Sequence, residues 1–330
     1  MTAIGILSVE HLHADAYAAA LDDIEDAALV GVAGADENEA ATAEKAEEYG
    51  TDHLAPDELL DRADGVVVCS ANVDHREWVE MAADAGVDVL CEKPLAPTVE
   101  DAQAIADACD DAGVHLGVAL PLRFSQPLRN AHDALEVGQL GDLQFLSGTN
   151  RGQMPGGWFA DPERSGGGAV MDHSVHILDV VRWLTGEDVA EVYAETGTRF
   201  HDIPVEDVNL LSMELTDGTQ FTLDGSWSKP DEYDTWGGAT LKLVGDDGVL
   251  EVDCFDQTIK QTRDSGDPGV HQLFWGPDAN RGLVADFVEA VREDRPPAKT
   301  GTHAVHDIEV IQAAYESAER GESVEVNEVV

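Results

Sequence analysis

Between residue 3 and about residue 120, short β-branched runs alternate with alanine-rich stretches at helical spacing, and this alternation restricts the fold more than any other feature of the chain. The strand candidates are Ala3 to Ser8, Ala28 to Gly34, Gly65 to Ser70, Val87 to Glu92 and Val114 to Leu120, separated by helices near 13–21, 38–49, 74–85 and 98–111. Thr98 with Asp101 three residues on reads as a capping-box-like start, and Val99, Ala102, Ala106 and Cys109 then share one helical face. Strands spaced this way pair in parallel through crossover helices, so the expected class is α/β, with a parallel sheet covered on both faces. Ligands of such sheets sit at the carboxyl ends of the strands, which places the segments after Leu7, Val32, Cys69 and Cys91 on one rim.

After Pro121 the pattern changes. A helix near 125–137, a strand near 142–149, a glycine-rich loop and a helix from about 169 to 184 precede longer alternating strands. Asp217-Gly218 and Asp247-Gly248 are hairpin signals, the first between Leu210–Leu215 and Gln220–Trp227, the second between Thr240–Val244 and Val249–Val252. Two helices near 281–293 and 303–319 close the chain. This half is expected to be α+β, with a mostly antiparallel open sheet. A length of 330 residues suits two cores, divided here as 1–121 and 122–330.

The chain carries 67 Asp and Glu against 19 Lys and Arg, a formal net charge of -48. The acids spread along exposed helix faces, Asp36 to Glu48 and Asp101 to Asp111, so they describe a solvated surface. Self-repulsion of this size opposes compaction and is screened only at high ionic strength, which points to a salt-loving cytosol. It also argues against nucleic-acid phosphates and anionic membranes as partners. Cys69, Cys91, Cys109 and Cys254 have no CxxC spacing and read as reduced structural thiols. Met1 leads straight into a strand, and no apolar run approaches 18 residues, so a cytoplasmic location is expected.

Two stretches carry chemistry. In Cys91-Glu92-Lys93-Pro94, a lysine at the strand rim can donate to a substrate oxygen or help move a proton. In the run from Gly166 to Asp179, Asp172 and His176 are four apart and share a helical face, where a carboxylate and an imidazole become neighbours. His173 and Asp179 read as supporting residues. His11 with His13, and His173 with His176, have no third ligand at recognisable spacing, so no metal is expected.

In this order these residues resemble the glucose-fructose oxidoreductase, inositol dehydrogenase and MocA family over nearly the whole chain. Members carry an E-K-P-like motif after the fifth strand and a glycine-rich loop leading to an Asp-x-x-x-His helix, matched by Glu92-Lys93-Pro94 and by Asp172 with His176. Ser70-Ala71-Asn72-Val73-Asp74-His75 matches the segment after the family's fourth strand, with Ala in place of Pro. Arg123-Phe124 with Pro127, and Ala313 to Ala318 ahead of Gly321, match further family segments.

The resemblance implies a Rossmann-type dinucleotide-binding domain, a substrate domain, and hydride transfer between a nicotinamide and a carbinol carbon of a sugar, cyclitol or related polyol. It implies His176 as the base for the hydroxyl proton, Lys93 bonded to the same oxygen, and Asp172 orienting a substrate hydroxyl or the imidazole. Ser8, His11, Asp36, Ser70, Asn72, His75, Glu92 and Lys93 would face the cofactor, and Arg123, Asn150 and Trp158 the substrate. A homodimer or homotetramer is implied by analogy alone.

The departure lies after the first strand, where a dinucleotide site normally has Gly-x-Gly-x-x-Gly. Ser8, Glu10 and His13 stand at roughly those positions. A phosphate could still rest on the helix N-terminus, aided by Ser8 or His11 and opposed by Glu10. Gly34 stands where the ribose-binding acid is often found. Asp36, two residues later, either reaches a ribose 2′-hydroxyl or caps the next helix, and with no Lys or Arg close by the reading leans to NAD, with NADP possible. The missing glycines favour an alternative, a non-catalytic sugar- or nucleotide-binding regulator on the same fold. The charge reading predicts a midpoint of thermal unfolding that rises by several degrees between dilute buffer and molar KCl; equal midpoints in the two would refute it.

Overall fold

The computed structural model describes residues 1–233, 235–264, 269–274 and 276–326. The first unit contains β1 (Thr2–Leu7), α1 (Ala14–Asp22), β2 (Ala27–Ala33), α2 (Glu39–Tyr49), α3 (Pro56–Leu60), β3 (Gly65–Val68), α4 (His75–Asp84), β4 (Asp88–Cys91), α5 (Val99–Ala112) and β5 (Leu116–Val118). The strands pair in parallel in the order β2-β1-β3-β4-β5. Ile4, Ile6, Val66, Val67, Val89 and Leu90 are fully or almost fully buried, as a sheet covered on both faces requires.

The start of α5 follows the sequence expectation. The Thr98 Oγ1 accepts from the Asp101 N–H at 3.1 Å, and its hydroxyl donates to the Asp101 carboxylate at 2.8 Å. The short α3, with Pro56 in its first turn, was not legible as a helix. Just before it, His53 makes one parallel bridge to Val32 on the outer side of β2. That single bridge stands where a further strand would flank β2. The Glu92-Lys93-Pro94 turn follows the fourth strand, β4.

The second unit contains α6 (Gln126–Glu136), β6 (Leu143–Gly152), α7 (Pro162–Ser165), α8 (Ala169–Thr185), β7 (Val189–Gly197), β8 (Val208–Leu215), β9 (Gln220–Asp224), β10 (Gly237–Gly245), β11 (Val249–Asp253), β12 (Thr258–Arg263), β13 (Gly269–Phe274), α9 (Ala279–Glu293), α10 (Gly301–Arg320) and β14 (Val324–Glu325). Seven strands form one sheet in the order β11-β10-β6-β9-β8-β7-β14, in which only β6 and β9 run parallel. Both expected hairpins form, with Gly218 at φ 88° in the first turn. β12 and β13 pair separately.

Helix α8 lies against β6, β8 and β9, and α10 against β7, while α9 returns to the first sheet and packs on α1 and β1. Phe287 and Val288 of α9 share a buried cluster with Ile4, Ile6 and Tyr17. The amino end of α8 is closed by a loop residue: the Glu206 carboxylate accepts from the N–H groups of Gly168 (3.1 Å) and Val170 (3.0 Å), and from the Tyr315 hydroxyl (2.9 Å). A Cβ at Gly168 would stand 2.0 Å from the Glu206 carbonyl oxygen. Gly168→Ala is therefore expected to cost about 1–3 kcal/mol, as overpacking against backbone does. Thermal unfolding in molar KCl checks this, and an unchanged midpoint would show that the loop yields freely.

Candidate active site

The carboxyl ends of β1, β3 and β4 form one rim, and the turn after β1 is built without glycine. Ser8 takes φ 65°, in the left-handed region that glycine usually occupies. It is held there by its own N–H bond to Ala33 O at 2.7 Å. The chain then folds inward at His11, whose N–H donates to Cys69 O at 2.9 Å and whose ring packs edge-on to Phe159. Burial pushes the His11 imidazole down to about 3, so it is neutral. Its Nδ1 accepts the His13 N–H at 3.2 Å, and its buried Nε2 has no partner among the described residues.

Glu92, fully buried, lies beneath this turn. The Tyr17 hydroxyl donates to its Oε1 at 2.6 Å, His13 Nδ1 lies 2.9 Å and His11 Nδ1 3.4 Å from the same oxygen, and the Lys93 N–H donates to Oε2 at 3.0 Å. Burial opposes ionisation of Glu92, but its contacts with His11, His13 and Lys93 outweigh burial and hold the carboxyl well below the usual carboxylate range. No third ligand stands at recognisable spacing in the sequence, but the fold brings Glu92, 79 residues beyond His13, beside His11 and His13.

The Lys93 ammonium is buried and paired with Asp172 Oδ1. Asp172 Oδ2 accepts from the indole N–H of the fully buried Trp227 at 3.0 Å and lies 3.3 Å from His173 Nε2. Burial opposes the Asp172 charge too, but the Lys93 ammonium outweighs it and the carboxyl lies well below its usual range. His176 stands in the wall of the same cavity. Burial, then Lys93, push its imidazole well below the ordinary value, and its Nδ1 has no partner among the described residues. Asp172 therefore fixes Lys93 and His173, with no hydrogen bond to His176. The enclosing cavity measures about 470 Å³ and is lined also by His11, His13, Asn150, Phe159 and Trp236.

The remaining candidates divide. Asn150 lines the cavity and donates from Nδ2 to His173 O at 2.9 Å. Arg123 lies outside the lining and is clamped to Asp179, donating from Nε at 3.0 Å. Trp158 stacks on Phe159, and its indole N–H donates to Glu10 O at 3.3 Å. Ser70 donates to Ala71 O, Asn72 holds Ser165 O at 2.8 Å, and His75 Nδ1 lies within 3.1 Å of Pro94 O and Leu95 O, bracing the turn that carries Lys93. Asp36 is exposed at the end of β2 and makes no capping bond to α2, so the helix-capping alternative is not taken. Glu10 does not stand as a bare repulsive charge, because Arg164 Nη2 bridges it (2.9 Å) to Asp74 (3.1 Å).

The site residues missed in the sequence are Tyr17, Phe159, Arg164, Trp227 and Trp236, none of which lies in a recognisable motif. His11 Nε2, Asn72 Oδ1 and His75 Nε2 are buried polar atoms without partners among the described residues, and such orphans are uncommon in native folds.

His75, His173 and His176 all have pKa values pushed below the ordinary 6.5, in each case first by burial. The unfolded chain thus binds more protons, and the stability tied to these groups is complete above about pH 6.5 and declines as pH falls toward the folded values. Each contributes up to about 1.4 kcal/mol per pH unit in that window. The unfolding midpoint in molar KCl should fall steadily from pH 7 to pH 5, whereas a flat profile would mean the three are already protonated in the fold.

Comparison with known proteins agrees with this geometry. Residues 4–120 match the oxidoreductase family with the NAD-binding Rossmann fold, and residues 128–251 match the GFO/IDH/MocA C-terminal domain. A myo-inositol 2-dehydrogenase of Thermotoga maritima is 27% identical over 341 residues, covering 99% of this chain and 98% of the relative. D-xylose 1-dehydrogenase (NADP(+)) 2 of Haloferax volcanii is 30% identical over 276 residues, 81% of this chain and 82% of the relative. Among solved structures, GenD2 from gentamicin A biosynthesis in complex with NAD superposes with a TM-score of 0.89 at 26% identity, covering 98% and 96% of the two chains. With both halves matched and the rim geometry in place, the chain belongs to the GFO/IDH/MocA family of oxidoreductases, and its N-terminal sheet is that family's NAD-binding Rossmann fold.

Proposed function

We propose that this NAD(P)-dependent oxidoreductase acts on a hydroxyl or carbonyl carbon of a sugar, cyclitol or related polyol, with Lys93, Asp172 and His176 as its catalytic residues. The observation that carries the assignment is the buried Lys93–Asp172 pair in the wall of a cavity shared with His176. The bound nicotinamide supplies the hydride acceptor or donor. In oxidation the neutral His176 imidazole takes the hydroxyl proton, and in reduction it returns the proton. The Lys93 ammonium hydrogen-bonds the same oxygen and stabilises the negative charge that develops on it. Asp172 keeps that ammonium in place, itself fixed by Trp227 and His173.

Asn150 contributes to the substrate wall, while Arg123 and Trp158 act from behind it as positioning residues. Residues 1–121 form the cofactor unit and residues 122–330 the substrate unit. In the cofactor unit, Ser8 and His11 face the diphosphate, Asp36 the adenosine ribose, and Glu92 and Lys93 the nicotinamide end. Ser70, Asn72 and His75 shape the rim between them. That no Lys or Arg follows closely after Asp36 in the sequence supports NAD over NADP. The four free cysteines, with no helix among the described residues long and apolar enough to cross a membrane, support a cytoplasmic protein. The sheet face opposite α8 and α10, with Leu210 exposed on β8, supports pairing of copies into a dimer or tetramer. The acidic surface supports a salt-rich interior.

Tryptophan quenching in molar KCl should report micromolar binding of NADH, and a sugar and cyclitol panel should then identify turnover. His176→Asn should lower kcat by about 10²–10⁴ while cofactor binding persists, and Lys93→Met should lower kcat at least as far and weaken cofactor binding as well. Full turnover in His176→Ala would remove it from the mechanism. One observation favours the regulatory reading, namely that Ser8, Glu10 and His13 stand where a dinucleotide site normally has glycines. Sugar binding with no turnover on any member of the panel would select it.

A further inference from the structure

The turn that replaces the glycine-rich loop is more than a departure from a pattern. It brings His11, His13 and Glu92 together with three donor atoms all within 4.8 Å of one another. Two of the spacings are resolved: His13 Nδ1 to Glu92 Oε1 is 2.9 Å and His11 Nδ1 to the same oxygen is 3.4 Å. Ligands about 2.0–2.2 Å from a tetrahedral ion stand about 3.3–3.5 Å apart, so small shifts would admit one ion between the three groups. Two imidazoles and one carboxylate are the donor set of a zinc-class dication, and a poor one for Mg²⁺ or Ca²⁺, which prefer all-oxygen shells.

Three further features suit an ion. Glu92 is fully buried as a carboxylate, and a dication would compensate its charge where solvent cannot. Its oxygens are already oriented by the Tyr17 hydroxyl at 2.6 Å and the Lys93 N–H at 3.0 Å, the kind of outer support that metal-bound carboxylates have. His11 and His13 both line the cavity that holds Lys93, Asp172 and His176, so a fourth coordination position would open toward bound ligand, as in catalytic and not closed structural sites.

We propose that His11, His13 and Glu92 bind one zinc-class divalent cation whose remaining position accepts an oxygen ligand from the cavity. Binding exchanges the hydrogen bonds that His11 Nδ1 and His13 Nδ1 now make for metal bonds. The site shares His11 and Glu92 with the proposed cofactor rim, but it does not depend on the hydride-transfer assignment and is tested without substrate or cofactor.

The experiment uses the tag-free, full-length protein in molar KCl, stripped with chelator, dialysed and titrated with Co²⁺. One equivalent is expected to bind, with the intense visible absorption of a four- or five-coordinate ion, to be displaced by Zn²⁺ and to be unaffected by millimolar Mg²⁺. His13→Ala, at a part-exposed position, should weaken binding by at least about tenfold with the unfolding midpoint of the stripped protein kept. X-ray absorption of the zinc-loaded wild-type protein should show two imidazoles in the first shell, and it serves equally if the variant fails to fold. No stoichiometric uptake, unchanged affinity in a folded His13→Ala, or a shell without imidazole would each overturn the proposal.

Discussion

The ion pair between Lys93 and Asp172 is the constraint on which the rest of the site depends. Both groups are almost completely buried, and the pair joins the turn after β4 to the first turns of α8 across 79 residues of sequence. Either charge alone in that environment would cost several kcal/mol, so each is stable only while the other is in place. Removing one partner of such a pair typically costs about 3–5 kcal/mol, which makes the contact between the two units a condition of the site and not a consequence of it. The other groups arrange themselves around it. Trp227 and His173 satisfy the second carboxylate oxygen, and His75 braces the lysine turn from below.

The turn after β1 solves a backbone problem by unusual means. A residue in the left-handed region costs about 1–2 kcal/mol without glycine, and Ser8 carries that strain. Two imidazoles of this turn lie against the buried Glu92. The strap carrying Trp158 and Arg164 closes over the turn from the second unit, where Arg164 offsets the charge of Glu10.

The scarcity of cations gives their placement meaning. Of six lysines, Lys93 and Lys299 are buried in ion pairs, Lys299 with Asp307 at 2.6 Å and Asp179 at 3.2 Å, and Arg123 shares Asp179. Three of the 19 Lys and Arg, Lys93, Lys299 and Arg123, are buried against the carboxylates Asp172, Asp179 and Asp307. A net charge of -48 thus coexists with buried carboxylates that are held by these cations.

The five parallel strands, both hairpins, the capped start of α5 and the helix bearing Asp172 and His176 were legible in the sequence, because each rests on local periodicity or turn chemistry acting within a few residues. The charge balance and the candidacy of Lys93 were legible for the same reason. What pairs with what was not. That Asp172 holds Lys93 and leaves His176 free, that Arg123 turns to Asp179, and that Glu92 completes a triad with His11 and His13 were decided only by tertiary structure. The single bridge between His53 and Val32 belongs with these. Each is a contact between segments tens of residues apart, set by how two sheets and their covering helices pack, and no spacing along the chain encodes that distance.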